Sequence, residues 1–209
     1  MLKLYDSTLS PYGARVRLYA ARKGIELDIE NPPADFQAIN PTAKVPCLVD
    51  GRLVLPESEV IVEYLEDRFP EPPLRPASAE GRAMARLLAR IGDLYVYPAL
   101  AALFTQMGSP RRDPAVISRK VEELAYGLDQ LEAFIGTAGT AVDGGFSTAD
   151  CALVPILLFT VQFLEQVAPD LLRTHPRVVA YWAAIQQETA VAPLVAELRL
   201  ALAAFLTQR

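Results

Sequence analysis

One histidine and two cysteines in 209 residues leave little for metal chemistry. His175 stands alone, and neither cysteine lies near a second soft ligand of the kind zinc or copper sites need, so no metal is expected. Cys47 and Cys151 are far apart and form no C-x-x-C. There is no sequon, no disulfide framework and no apolar leader in "MLKLYDSTLS", so a reducing cytoplasm is the expected compartment. Basic charge is also short: 20 Lys and Arg against 25 Asp and Glu give a net charge of −5. Nucleic-acid binding needs a clustered basic footprint, and "PRRD" at 110–113 is the only local one. The most apolar run, "CALVPILLFTVQFL" at 151–164, is shorter than the ~20 residues that span a bilayer. It reads as a buried helix, and no membrane partner is expected. There is no G-x-G-x-x-G, no P-loop and no G-x-S-x-G elbow. The chemistry must therefore come from something the protein binds.

Two textures divide what is present. Residues 1–69 alternate short strand-like and helical runs. "LKLYD" (2–6) predicts a strand, and 11–23 a helix opened by Pro11 and closed by Gly24. "IELDIE" (25–30) alternates like a half-buried strand. Residues 47–55 read as a hairpin turning at Asp50-Gly51. In 58–69, Val60, Ile61, Tyr64 and Leu65 share a helical face. The proline-rich "FPEPPLRPASAE" (69–80) is a stiff linker. Helical period then continues over 80–107, 114–135, 148–166, 176–188 and 191–206. "FSTAD" is a capping box, with Ser147 as N-cap and Asp150 three residues on. Its role is structural, and so is that of His175, which precedes Pro176 at a helix start.

Several residues of the first half admit two readings. Ser10, before Pro11, is an N-cap by position. Val45-Pro46 is a strand entry or a sharp turn. Glu57 and Ser58 suit a helix start through capping and the dipole, and Lys44 is a loop lysine. Arg15 reads as a surface ion pair. Cys47 follows Pro46 in an apolar strand and reads as buried and inert.

The motifs S-P-Y…R-V-R (10–17), F-x-x-x-N-P-x-x-K-V-P-x-L (36–48), E-S (57–58), "FSTADCAL" and "HPRVVAYW" occur in order along nearly the whole chain. Together with the linker they resemble the glutathione S-transferase family, nearest to its bacterial, serine-activating, theta- and zeta-like members. The resemblance implies an α/β, thioredoxin-like N-terminal domain (βαβ–ββα, 1–76) followed by an all-α helical-bundle domain (80–209). It implies a cytoplasmic homodimer that uses glutathione as co-substrate, with no cofactor, to attack small hydrophobic electrophiles. Ser10 would donate a hydrogen bond to the glutathione sulfur, and Arg15 would add positive potential beside it. A cis bond before Pro46 would let the Val45 backbone pair with the peptide. Lys44 would meet the glycyl carboxylate, while Glu57 and Ser58 would take the γ-glutamyl ammonium and carboxylate. Leu9, Tyr95, Tyr97, Leu103 and Phe104, near a kink at Pro98, would line the electrophile pocket. Two alternatives stay open. One is a glutathione-dependent isomerase of the maleylacetoacetate or maleylpyruvate type, although that class carries S-S-C where this chain has Ser10-Pro11-Tyr12. The other is a non-catalytic scaffold on the same fold. Thiol exchange is disfavoured because that branch places Cys where Ser10 stands. The electrophile's identity is not legible, nor is any contact of the 136–146 loop with the site.

Overall fold

The computed structural model describes residues 1–207. The first half is a four-stranded sheet in the order β2 (Leu27–Glu30), β1 (Leu2–Tyr5), β3 (Cys47–Asp50), β4 (Leu53–Pro56). Strand β1 (Leu2–Tyr5) leads into helix α1 (Pro11–Lys23) and then β2 (Leu27–Glu30), which pairs parallel to β1. After the short α2 (Phe36–Ile39), β3 (Cys47–Asp50) and β4 (Leu53–Pro56) add antiparallel to the other edge, and α3 (Ser58–Arg68) returns over the sheet. Helix α1 is bounded by local chemistry. Ser10 caps it, Pro11 suits its first turn, and Gly24 at φ 68° ends it with bonds to the Ala20 and Ala21 carbonyls.

Three expectations shift. β2 is an edge strand whose Ile29 is exposed, so it does not alternate in and out. The hairpin turns at Gly51-Arg52, because Asp50 still pairs with Leu53. On α3 the buried stripe is Ser58, Ile61, Val62, Leu65 and Glu66, which leaves Val60 outside.

The second half is helical: α4 (Ala79–Ile91), α5 (Tyr97–Met107), α6 (Pro114–Phe134), α7 (Thr148–Val167), α8 (Pro176–Ile185) and α9 (Val191–Thr207). Between α4 and α5 the chain winds as a π-helix over Gly92–Val96, where the Tyr97 amide donates to the Gly92 carbonyl five residues back. Pro98 follows, lacking an amide and crowding the carbonyl four residues before it. The widened turn absorbs that conflict, so the expected kink becomes a π-turn. Helix α7 is buried along most of its length and packs against α1 and α4. Its first turn is the capping box: the Ser147 amide donates to Asp150 at 2.8 Å, as does the Ala141 amide. His175 is buried at the start of α8 with Nε2 3.1 Å from Asp129 Oδ1.

The linker is clasped from below by Glu66 of α3. Its carboxylate accepts from the amides of Leu74 and Arg75 at 2.9 and 3.2 Å, from Lys23 Nζ at 2.8 Å and from the Tyr19 hydroxyl. All three side chains are buried. Burial alone would raise the Glu66 carboxyl, but the donors from Lys23, Tyr19, Leu74 and Arg75 outweigh it and hold it below the ordinary value.

Candidate active site

Two cavities meet where α1 begins. The first, about 810 Å³, lies between the 7–12 loop and the helical domain, and its walls include Leu9, Ser10, Tyr12, Val45, Tyr97 and Phe104. Phe159 of α7 and Phe205 of α9 close its far side. Phe104 meets Phe163 and Phe159 edge-on and stacks on Phe205 at 5.0 Å, so this chamber is apolar and aromatic. The second, about 350 Å³, is polar and includes Arg15, Lys44, Val45, Glu57, Ser58 and Asp93 in its walls. Tyr12, Lys44, Val45 and Tyr97 border both.

Ser10 faces the apolar chamber, and its oxygen accepts the Gly13 amide at 3.0 Å. A hydroxyl has one proton to donate besides its acceptor lone pairs. Capping therefore occupies the acceptor side of Ser10 and leaves its donor available. The two readings of Ser10 are compatible.

The peptide bond between Val45 and Pro46 is cis. Asn40 fixes this loop by donating to the Lys44 carbonyl at 2.9 Å and accepting from the Thr42 amide at 3.1 Å. Two non-glycine residues at the cavities have left-handed backbone, Ala43 at φ 53° and Glu57 at φ 71°. Each such residue costs ~1–3 kcal/mol, and such strain gathers at functional sites. Glu57 thereby enters α3 with Ser58 already in its first turn.

Arg15 makes the expected ion pair in an unexpected place. It is buried rather than at the surface, and its guanidinium pairs two-pronged with Asp93 of the π-turn, one contact at 3.1 Å. Its charge is thus matched, which leaves the α1 amides as the positive end nearest Ser10. The electrophile set also needs correction. Leu9, Tyr97 and Phe104 line the chamber, but Tyr95 is exposed and pairs with Tyr126, and Leu103 is sealed in the core. The reason is helical phase: Tyr97, Leu100, Ala101 and Phe104 recur at the spacing of one face, and Tyr95 and Leu103 fall off it. Sequence reasoning gave no role to Tyr12, although it stands inside the S-P-Y motif. It also missed Asp93, Phe159 and Phe205, which come from distant elements. Cys47 is buried, and burial pushes its thiol up. The 136–146 loop lines neither cavity. Among the described residues no cluster of three or more His, Cys, Asp or Glu fits a metal.

Beneath the loop, Asp6 is buried, with Arg17 Nε 3.0 Å away, and Arg17 also reaches the Thr8 carbonyl and Glu197 of α9. Burial pushes the Asp6 carboxyl up to about 6, against the pull of Arg17. The folded state therefore binds the extra proton between the unfolded value near 3.8 and about 6. Across that window rising pH removes stability, on the order of 3 kcal/mol at ~1.4 kcal/mol per unit. Asp6→Asn should flatten this part of the profile. Urea unfolding at mildly acidic and neutral pH checks it, and a slope equal to wild type would refute it.

Comparison with known proteins places this architecture. Residues 4–73 match the glutathione S-transferase N-terminal domain and residues 94–188 the C-terminal domain. The chain is 34% identical over 162 residues to a stringent starvation protein A homolog of Coxiella burnetii, covering 75% of each. It is 30% identical to glutathione S-transferase 3 of Zea mays over 95% of each. A glutathione S-transferase structure from Methylobacillus flagellatus with glutathione bound superposes with a TM-score of 0.77 at 25% identity, covering 93% of this chain and 98% of that one. These two domain matches, which together span most of its length, make the chain a member of the glutathione S-transferase family.

Proposed function

We propose that the protein is a glutathione transferase, which activates the glutathione thiol for attack on hydrophobic electrophiles. The observation that carries this reading is the junction, at Tyr12, Lys44, Val45 and Tyr97, of a polar, peptide-sized cavity with an apolar, aromatic one whose wall includes Ser10. In the polar cavity Glu57 takes the γ-glutamyl ammonium, and Ser58 with the first amides of α3 takes the adjacent carboxylate. The Val45 backbone pairs with the cysteinyl unit in strand fashion, and Lys44 meets the glycyl carboxylate. The sulfur then lies at the Ser10 hydroxyl, over the start of α1.

A free thiol of pKa ~8.5 is only a few per cent thiolate at neutral pH. One charge-assisted hydrogen bond plus the helix end supplies ~2.7 kcal/mol, enough to lower that value by ~2 units. Ser10 thus activates a nucleophile that it does not itself provide. The electrophile occupies the chamber bounded by Leu9, Tyr97 and Phe104, where exclusion of water favours the thiolate's attack. A homodimer is part of this reading, as is general for the family.

The test is the thiolate absorbance of bound glutathione against pH, in wild type and in Ser10→Ala. Wild type should show a lowered thiol pKa that returns toward the free value in the variant. Turnover should fall ~10- to 100-fold, the ~1.5–3 kcal/mol of one hydrogen bond to a charged group. Binding with an unshifted thiol, or no binding, would reduce Ser10 to a cap and favour the scaffold reading.

A further inference from the structure

Beneath the turn that carries Ser10 lies an arginine that takes no part in holding either substrate. The Ser10 amide donates to the Ser7 carbonyl at 2.8 Å and closes a four-residue turn with Thr8 and Leu9 at its centre. That bond leaves the Thr8 carbonyl without a partner inside the turn. Arg17, further along α1, supplies one: its Nη2 donates to the Thr8 oxygen at 3.1 Å. Nε of the same guanidinium stands 3.0 Å from Asp6 Oδ2, and Nη1 bonds Glu197 of α9. Asp6 in turn lies against Gly13, whose amide bonds the Ser10 oxygen. The Arg17 side chain is 10% exposed, and it is absent from the walls of both cavities beside the start of α1.

The two commonest turn types differ by rotation of the central peptide as a unit. In this turn that peptide joins Thr8 to Leu9, so its carbonyl is the handle by which rotation is stopped. Leu9 follows it into the wall of the apolar chamber, and Ser10 comes next. Water would bond the same oxygen without fixing its direction. The guanidinium does fix it, because its planar fork is already aimed by Asp6 and Glu197.

Resting on the glutathione transferase reading, we infer that Arg17 is a positioning residue: by holding the Thr8 carbonyl it sets the direction in which the Ser10 hydroxyl meets the glutathione sulfur. It touches neither substrate and acts only through the turn from Ser7 to Ser10.

The experiment compares wild type, Arg17→Lys and Glu197→Gln. Lysine keeps the positive charge that the buried Asp6 faces, but its single ammonium cannot match acceptors set around a planar fork. In Arg17→Lys the thiol of bound glutathione should titrate ~1 unit higher, about half of the ~2-unit depression assigned to Ser10 and the start of α1. The pH–rate profile should move toward alkaline pH by the same amount. Below the thiol pKa the rate should fall ~3-fold, because a ~10-fold smaller thiolate fraction is partly offset by a more nucleophilic thiolate. Above it the rate should recover. Affinity for glutathione, measured below the thiol pKa, should stay at the wild-type value, since Arg17 lies outside the polar cavity. Glu197→Gln keeps the Thr8 contact and should leave the thiol pKa and the profile unchanged. Exchange of the Ser10 amide, followed by NMR in the protein without glutathione, should quicken in Arg17→Lys alone.

An unshifted thiol pKa or an unchanged Ser10 amide in Arg17→Lys would overturn the inference. So would a rate lowered equally at every pH, or a variant that does not fold, since either makes Arg17 a strut of the fold. An equal shift in Glu197→Gln would overturn it too, because that variant leaves the Thr8 contact in place. A wild type with an unshifted thiol would overturn the transferase reading itself and this inference with it.

Discussion

Glu66→Leu is expected to destabilise the fold by ~3–5 kcal/mol, the cost of breaking a buried ion pair from one side. The substitution leaves the Lys23 ammonium with its side chain fully buried and its carboxylate gone. It also removes the acceptor of the Tyr19 hydroxyl and of the Leu74 and Arg75 amides. At ~2–4 °C per kcal/mol for a chain of this size, the melting temperature should drop by ~6–20 °C. Because the loss comes mainly from an orphaned charge, Lys23→Met added to Glu66→Leu should recover part of it. A double variant no more stable than the single one would show that the linker amides, and not the ion pair, carry the energy. Either result is read by thermal unfolding followed by circular dichroism.

Gly13→Ala should be nearly as damaging, for a steric reason. A Cβ at this position would lie 1.6 Å from Asp6 Oδ1 and 2.2 Å from its carboxyl carbon. Alanine normally favours a helix over glycine by ~1 kcal/mol, so intrinsic propensity argues for the opposite sign. Here the short Asp6 side chain is buried and held by Arg17. Either Asp6 leaves Arg17 or α1 shifts off the sheet, and overpacking of this kind costs ~3 kcal/mol. The clash predicts strong non-additivity: Asp6→Ser should relieve most of the cost of Gly13→Ala, as equilibrium denaturation of the three variants will show. Simple addition of the two penalties would refute the contact.

The parts of the site that local chemistry writes are legible in the sequence. Ser10 before Pro11, Val45 before Pro46 and Glu57 before an amphipathic run each announce a cap, a turn or a helix start, and each stands at a cavity wall. The face of α5 is legible too, since Tyr97, Leu100, Ala101 and Phe104 keep one helical spacing, which Tyr95 and Leu103 do not. Burial of Arg15 was not legible, because its partner Asp93 is far along the chain and is presented by a π-turn that a 3.6-residue period does not encode. Ile29 misled for a related reason. Alternation predicts two faces but does not say that β2 lies at the sheet's edge, where both are partly open. Phe205 belongs to the final helix, and only tertiary packing brings it to a chamber opened by the first.

The π-turn at Gly92–Val96 also bears on how the chain tolerates changes of length. In an ordinary helix the loss of one residue rotates every following side chain by more than a quarter turn and strips a cavity of its wall. Here the surplus residue is already looped into a single wide turn. A deletion within it would tighten the turn to the common pitch and leave α4 and α5 in their present phase, with Tyr97 and Phe104 still facing the chamber. What would be lost is the reach of Asp93 to the buried Arg15. The seam between the two helices is thus the place where this chain can lose one residue and keep the wall of its pocket, at the expense of the Arg15 partner.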